Sequence, residues 1–272
     1  MKYAVITFGC RVNQSDSLGF EEQFLARGAE SAPADQADVV VVNTCSVTAS
    51  ADQGARQTIR RIARLNPQAR IVVTGCYATR QPDAVSSLPN VDRVVCNDDK
   101  SQLLTLVGSS QASSAGLDRA PVLTSSERFG DGDGACGAML VPGVAGRTAF
   151  TLRVQTGCSE PCSYCIIPET RGVPRSLALE AVCHDVGRAI GAGFKEVVLT
   201  GVHLGSWGRD LESPGSLLTL LQELHAMAAR EHEAHGRRVL FRISSLEPMD
   251  CSPAIVDLVA RSGYFAPHFH LP

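Results

Sequence analysis

The sequence predicts an α/β protein in two parts, an N-terminal parallel-sheet α/β domain followed by an incomplete (β/α) barrel. Three observations predict this. Short β-branched runs recur along the chain, each trailed by a helix-compatible stretch. A break rich in Ser, Gly, Asp and Ala divides this alternation into two series. The second series supplies three β/α units and part of a fourth, too few to close a barrel. The sequence therefore looks truncated.

In order, the first strands are Tyr3-Ala-Val-Ile-Thr-Phe8, Asp38-Val-Val-Val-Val42 and Arg70-Ile-Val-Val-Thr74. Unbroken apolar runs of this kind suit strands of a parallel sheet covered on both faces. They end in Gly9-Cys10, Asn43-Thr44-Cys45 and Gly75-Cys76. Three cysteines thus share one structural place, just past the carboxyl end of a parallel strand, where open α/β sheets bind ligands. Residues 1–107 form this first domain, and residues 108–146 read as a linker, with Gly108-Ser-Ser-Gln-Ala-Ser-Ser-Ala-Gly116 and Gly130-Asp-Gly-Asp-Gly134 inside it. Residues 147–272 carry the second series. Ala149 to Val154 is its first strand, Leu177 to Ile190 a helix, and Glu196 to Thr200 the next strand. A helix over Leu217–His235, a strand over Arg238–Ile243 and a helix over Ala254–Arg261 follow, and Tyr264 to Leu271 begins a fourth strand.

A chain of 272 residues can build two cores of ordinary size. Hydrophobic content of 44% with 19% charged residues fits a soluble globular protein. The N-terminus lacks a charged–apolar–small signal pattern, and no apolar run approaches a membrane span. Ten cysteines in that context argue for reduced thiols and metal ligation in the cytoplasm, with no membrane partner. A net charge of −3 gives no bulk attraction to nucleic acid, so any RNA must be drawn by local patches.

The densest cysteine group is Cys158, Cys162 and Cys165, a C-x3-C-x2-C triplet directly after a strand. Three clustered thiolates can hold a 4Fe–4S cluster and leave one iron open to a small molecule. The alternative is zinc, which prefers four ligands in two knuckles, and no second knuckle follows here. Cys10, Cys45 and Cys76 are separated by 34 and 30 intervening residues, which matches no short metal motif. Topology, not spacing, would bring them together, and three unrelated core thiols are the alternative to a second cluster.

The triplet, with Tyr164 before its last cysteine, resembles the signature of radical S-adenosylmethionine (SAM) enzymes. With both triads, the chain is similar to the methylthiotransferases, a radical SAM family. Thr7-Phe-Gly-Cys-Arg-Val-Asn-Gln14, Val42-Asn-Thr-Cys-Ser-Val-Thr48 and Val73-Thr-Gly-Cys-Tyr77 resemble its N-terminal cluster motifs. Gly157 to Gly172, Leu199-Thr-Gly-Val-His-Leu-Gly-Ser-Trp-Gly208 and Arg242-Ile-Ser-Ser-Leu-Glu-Pro248 resemble its SAM-cluster loop and the ends of two barrel strands. Within the family, Cys10-Arg-Val-Asn-Gln14 and Gly201-Val-His-Leu-Gly205 resemble the branch acting on N6-threonylcarbamoyladenosine in tRNA. Sister branches act on isopentenyladenosine in tRNA or on a ribosomal-protein aspartate.

The resemblance implies a radical-SAM core, SAM as cofactor, and two 4Fe–4S clusters, on Cys158, Cys162 and Cys165 and on Cys10, Cys45 and Cys76. It implies a tRNA anticodon stem-loop as partner, a donor such as flavodoxin or ferredoxin, and a monomer. Tyr164, Gly201, Ser244, Ser245 and Glu247 are the SAM contacts expected from it, against ordinary loop polarity and capping as the plainer reading. A zinc-binding module is the non-enzymatic alternative.

Other residues are given lesser parts. Cys96, Cys136, Cys183 and Cys251 read as packing or surface thiols. His268 and His270 alternate along the expected last strand and would face one side of it. Arg56, Arg60, Arg61 and Arg64 form a basic helix face, read as solvated, with RNA phosphate contact as the alternative.

Overall fold

A computed structural model describes residues 1–108 and 149–272. The expected linker lies almost wholly outside the described residues, as does Cys136. The chain divides into two compact units, the first built on residues 1–13 and 19–108, the second on residues 14–18 and 149–272 among those described.

The first unit is a five-stranded parallel sheet in the order β2-β1-β3-β4-β5. Its strands are β1 (Lys2–Thr7), β2 (Glu30–Ser31), β3 (Val39–Thr44), β4 (Arg70–Gly75) and β5 (Val91–Val95). Pleat alternation sends Val40, Val42, Ile71 and Val73 into one core and Val39, Val41 and Val72 into another on the opposite face. Both faces are covered, so both sets of valines are buried and the strands read as continuous apolar runs. Of the helices α1 (Arg11–Ala26) and α2 (Ala49–Leu65), α2 lays Ala55, Ile59 and Ile62 on the first core. Thr48 caps it by accepting from the Ala51 N–H at 3.2 Å. Phe20 and Phe24 of α1 join the second core, where Phe24 stacks on Tyr3 at 4.5 Å between centroids. Short helices α3 (Cys76–Arg80), α4 (Pro82–Ser86) and α5 (Leu103–Gly108) complete the series.

Three strands were expected here, and β2 and β5 are additions. The two residues of β2 are polar and at the sheet edge, and Asp92 and Arg93 interrupt the apolar pattern of β5.

In the second unit β6 (Ala149–Arg153), β9 (Glu196–Thr200) and β10 (Leu240–Ile243) form a parallel sheet in the order β10-β9-β6. Between them lie a ribbon of β7 (Gln155–Thr156) with β8 (Arg175–Ser176), the short α6 (Ile167–Arg171), and the helices α7 (Leu179–Gly191) and α8 (Leu217–His235). Helix α9 (Pro253–Arg261) follows β10. One core joins Phe150, Leu152, Val197, Leu199, Phe241 and Ile243 of the strands to Val186, Ile190, Leu221 and Leu224 of the helices. Successive β/α units are neighbours, as in a barrel that three strands leave open.

The expected fourth strand is not formed. Tyr264 to Leu271 meets the sheet only in two isolated parallel bridges, Phe241 with Phe265 and Ser245 with His270. Pro267 lacks the N–H that a ladder would need there. His268 and His270 are exposed, so the expectation that they line one face of a strand is corrected.

Candidate functional site

Strands β1, β3 and β4 are adjacent and end level, with Thr7 beside Asn43, Asn43 beside Thr74 and Thr44 beside Gly75. The next turns carry Cys10, Cys45 and Cys76. Cys45 and Cys76 are buried and Cys10 is exposed. Burial pushes the Cys45 thiol up; the Val47 backbone N–H opposes this, and the Cys10 and Cys76 sulfurs raise it further. The turn before Cys10 lies directly against Cys45, since a Cβ on Gly9 would collide with the Cys45 side chain. Around them Asn13 donates to the Phe8 and Thr44 carbonyls at 2.9 Å, and the Asn43 carboxamide donates to the Asn13 carbonyl at 2.9 Å. Asn97 points its amide at the Cys76 sulfur from 3.7 Å, and the buried Lys100 ammonium donates to Asn43 Oδ1 at 3.2 Å.

Thr44 ties β3 to the Cys76 turn. Its hydroxyl donates to the Thr74 carbonyl at 2.6 Å and accepts from the Ala78 N–H at 3.2 Å. Gly75 precedes Cys76 at φ 98° and ψ −171°, a conformation open to glycine. A Cβ there would also run into the Thr44 backbone.

In the second unit the loop of Cys158, Cys162 and Cys165 follows β7. Its backbone is fastened by Cys158 N–H to the Gly172 carbonyl at 3.0 Å and Cys165 N–H to the Cys162 carbonyl at 3.1 Å. The three cysteines line one cavity of about 530 Å³, together with Glu160, Tyr164, His203, Arg209, Glu247 and Asp250. Burial raises the Cys158 thiol, partly offset by the Glu160 N–H, which donates to its sulfur at 3.4 Å.

Of the five expected cofactor contacts, Tyr164 and Glu247 are among the cavity's lining residues, and Tyr164 is 90% exposed. Gly201, Ser244 and Ser245 are not among them. A Cβ on Gly201 would approach Gln155 Oε1 at 3.0 Å, so its missing side chain makes room for that carboxamide. Ser244 donates to the Thr200 hydroxyl at 3.2 Å, and Ser245 Oγ pairs with His270 Nδ1 at 2.9 Å.

The sequence reading missed three residues of the cavity wall, His203, Arg209 and Asp250, and a fourth, Gln155, that braces it. Gln155, 1% exposed, donates to the Thr156 and Gly157 carbonyls at 2.9 and 2.8 Å. Its oxygen accepts from the Val202 and His203 N–H groups at 3.0 and 2.9 Å. One side chain thereby joins the start of the cysteine loop to the turn after β9. His203 Nδ1 lies 3.8 Å from Cys158 Sγ and its Nε2 lies 2.9 Å from Asp250 Oδ2, while Arg209 donates to Asp250 Oδ1 at 2.8 Å. The partners lie 47 residues apart for His203 and Asp250, which no local pattern reveals.

Cys96, Cys183 and Cys251 are half-buried, and Cys183 and Cys251 pack against the second unit's core. Arg56 donates to the Tyr77 hydroxyl at 2.9 Å and lies over its ring, whereas Arg60, Arg61 and Arg64 are exposed.

Among the described residues, no three His, Cys, Asp or Glu side chains stand at the spacing that holds a single metal ion. The donor chemistry nonetheless fits iron–sulfur groups. Three thiols share one cavity in the second unit, and three more follow level strand ends in the first. No helix among the described residues is long and apolar enough to cross a membrane.

Residues 2–96 match a family described as "Uncharacterized protein family UPF0004". The chain is 33% identical over 98% of its length to "Threonylcarbamoyladenosine tRNA methylthiotransferase MtaB" of Bacillus subtilis, covering 56% of that protein. It is 37% identical over all its length to the protein of the same name in Aquifex aeolicus, covering 62% of it. "Ribosomal protein uS12 methylthiotransferase RimO" of Roseiflexus sp. is 30% identical, with 59% of it covered. The chain thus spans little more than half the length of these curated relatives. Among solved structures, a radical S-adenosylmethionine methyltransferase, TsrM of Kitasatospora setae, solved with tryptophan and a SAM analogue, superposes with a TM-score of 0.57 at 14% identity. That superposition covers 95% of this chain and 57% of the other, a likeness of fold.

Proposed function

Over its whole length this chain is methylthiotransferase-like, and from that premise we propose that it is a radical SAM enzyme acting on tRNA. Its product is the 2-methylthio derivative of N6-threonylcarbamoyladenosine beside the anticodon. The observation that carries the reading is the convergence of Cys158, Cys162 and Cys165 on one cavity that also holds Glu247 and Tyr164. Cys158, Cys162 and Cys165 would hold a 4Fe–4S cluster, which would supply one-electron reduction of SAM, and Cys10, Cys45 and Cys76 would hold a second, which would supply sulfur.

The chain's own residues bind, orient and enclose. Three cysteines per site would give up their protons to hold iron. Glu247 presents a carboxylate suited to the SAM ammonium, and the exposed ring of Tyr164 offers a stacking face at the cavity mouth. Gln155 braces the turn after β9 beside that cavity. The tRNA, an electron donor such as flavodoxin or ferredoxin, a cytoplasmic setting and a monomeric state belong to the same reading.

The relative named for a ribosomal protein supports a second reading, in which the acceptor is a protein aspartate. Anaerobic reconstitution with iron and sulfide tests the cofactors: about eight irons per chain are expected from two 4Fe–4S clusters. Zinc retention with no iron uptake would leave a metal-binding module instead. Expression of the protein in strains lacking one or the other tRNA modification tests the substrate. Rescue of the threonylcarbamoyl strain alone is expected, and rescue of only the isopentenyl strain would move the chain to the sister branch.

A further inference from the structure

The wall of the cysteine cavity contains a chain of contacts that the chemistry above does not use. Arg209 donates to one oxygen of Asp250, the other oxygen meets His203 Nε2, and His203 Nδ1 faces the Cys158 sulfur. The imidazole is 5% exposed, and the carboxylate side chain 11%. Its backbone is pinned separately, by Gln155 Oε1 on the His203 N–H. His203 therefore has few ways to turn, and its orientation is set by Asp250.

Gly205 is the second, independent sign that this contact is built. A Cβ at Gly205 would collide with the Cβ, Cγ and Oδ2 of Asp250. Any larger residue in the turn after β9 would drive the carboxylate away from His203. The glycine of Val202-His-Leu-Gly205 thus leaves space for one specific side chain, from 45 residues further along the sequence.

We propose that Asp250 is a positioning residue for the cysteine site: acting through His203, it fixes Cys158 and the adjoining cavity wall for the cofactors. This rests on the reading of Cys158 as a cluster ligand. The carboxylate sits at the end of the segment Glu247–Asp250, which lines the same cavity. Tying that segment to the Cys158 loop through one imidazole sets the distance between the two walls. Binding then requires less ordering of the loop, since preorganised groups lose less freedom when a ligand arrives.

The test begins on the iron-free chain, so that it is independent of the cofactor reading. Hydrogen–deuterium exchange of residues 157–165 is compared in wild type, Asp250→Ala, Asp250→Asn and Arg209→Ala, with α8 as internal reference. Loss of a charge-assisted contact should speed exchange of the loop about tenfold in Asp250→Ala. Arg209 is exposed, so its removal leaves the fold intact and should produce a smaller change in the same direction. Asn can offer an oxygen to Arg209 and an N–H to Nε2, with the imidazole in its other tautomer, so Asp250→Asn should stay close to wild type. After reconstitution with iron and sulfide, Asp250→Ala should bind SAM about tenfold more weakly at equal iron content, and Asp250→Asn should recover most of it. Loop exchange in Asp250→Ala within twofold of wild type would overturn the proposal. An Asp250→Asn chain as loose as Asp250→Ala would overturn it too, because geometry would then not be what Asp250 supplies. Failure of the wild type to take up iron would instead count against the cluster, and the exchange result would still stand.

Discussion

Cys10, Cys76 and Cys158 each follow a glycine held at positive φ, at 89°, 98° and 72° respectively. The repeated pair turns the chain sharply at a strand end and leaves the next residue's thiol at the rim of the sheet. Gly75→Ala must accept both a disfavoured backbone and a collision with Thr44, so a loss of about 1–3 kcal/mol is expected. Chemical denaturation measures it, and an unchanged midpoint would show that the turn relaxes freely. For the cysteines themselves, Cys162→Ala removes one of three proposed ligands and should abolish SAM cleavage, whereas Cys183→Ala should leave it nearly intact. Cleavage at the wild-type level by the Cys162 variant would remove that residue from the site. The placement of the six cysteines past strand ends was legible because each lies in a short motif beside one. Gln155, His203 and Asp250 were not, because their roles come from contacts between segments that only the fold brings together.

The helices were legible for a different reason: an apolar stripe recurs with the helical period whatever the tertiary context. Residues Ala55, Ile59 and Ile62 of α2 recur in that way, and all three are buried. Thr48→Ala removes the cap of α2 and should cost about 1 kcal/mol, measurable by thermal denaturation. On α7 the sign of a pH effect can be worked out. Burial holds the Asp185 carboxyl above its ordinary range, against the opposing pull of Arg188. A folded-state pKa above the unfolded one means the native chain binds the proton more tightly. Stability from this group is therefore fullest below the ordinary carboxylate range and falls as pH rises through the raised value. Asp185→Asn should flatten that part of the curve, as melting temperatures followed from acid to neutral pH would show; an unaltered slope would mean that the charge is relieved elsewhere. The elements that escaped the sequence reading, β2, β5 and the β7–β8 ribbon, are short or polar and owe their strand character to a partner strand.

At the scale of the molecule, the two cysteine triads should separate the two halves of the proposed reaction. Cys45→Ala should leave SAM cleavage measurable at a reduced level while no methylthio group reaches tRNA. Mass spectrometry of tRNA nucleosides beside a cleavage assay reads both. Methylthiolated product at normal yield from that variant would deny the first unit a part in sulfur delivery. The α/β class was legible because alternation of β-branched runs and helix-compatible stretches survives any loop composition. The full extent of the first sheet was not, since its edge strands carry charge where the central ones carry valine.

Strands β1, β3 and β4 lie side by side, so whatever joins Cys10, Cys45 and Cys76 also closes two chain segments of 34 and 30 residues. In an unfolded chain, gathering these thiols would require both closures at once, each opposed by conformational entropy. The paired strands have already brought the ends together. Under the proposed reading an order of maturation follows, in which the sheet would assemble first and the metal would arrive second. A strand that slips its register by one residue sends every side chain on it to the opposite face. Its cysteine then misses the other two. Under the proposed reading, iron uptake in the first unit would act as proofreading, accepting only chains whose strands have paired correctly.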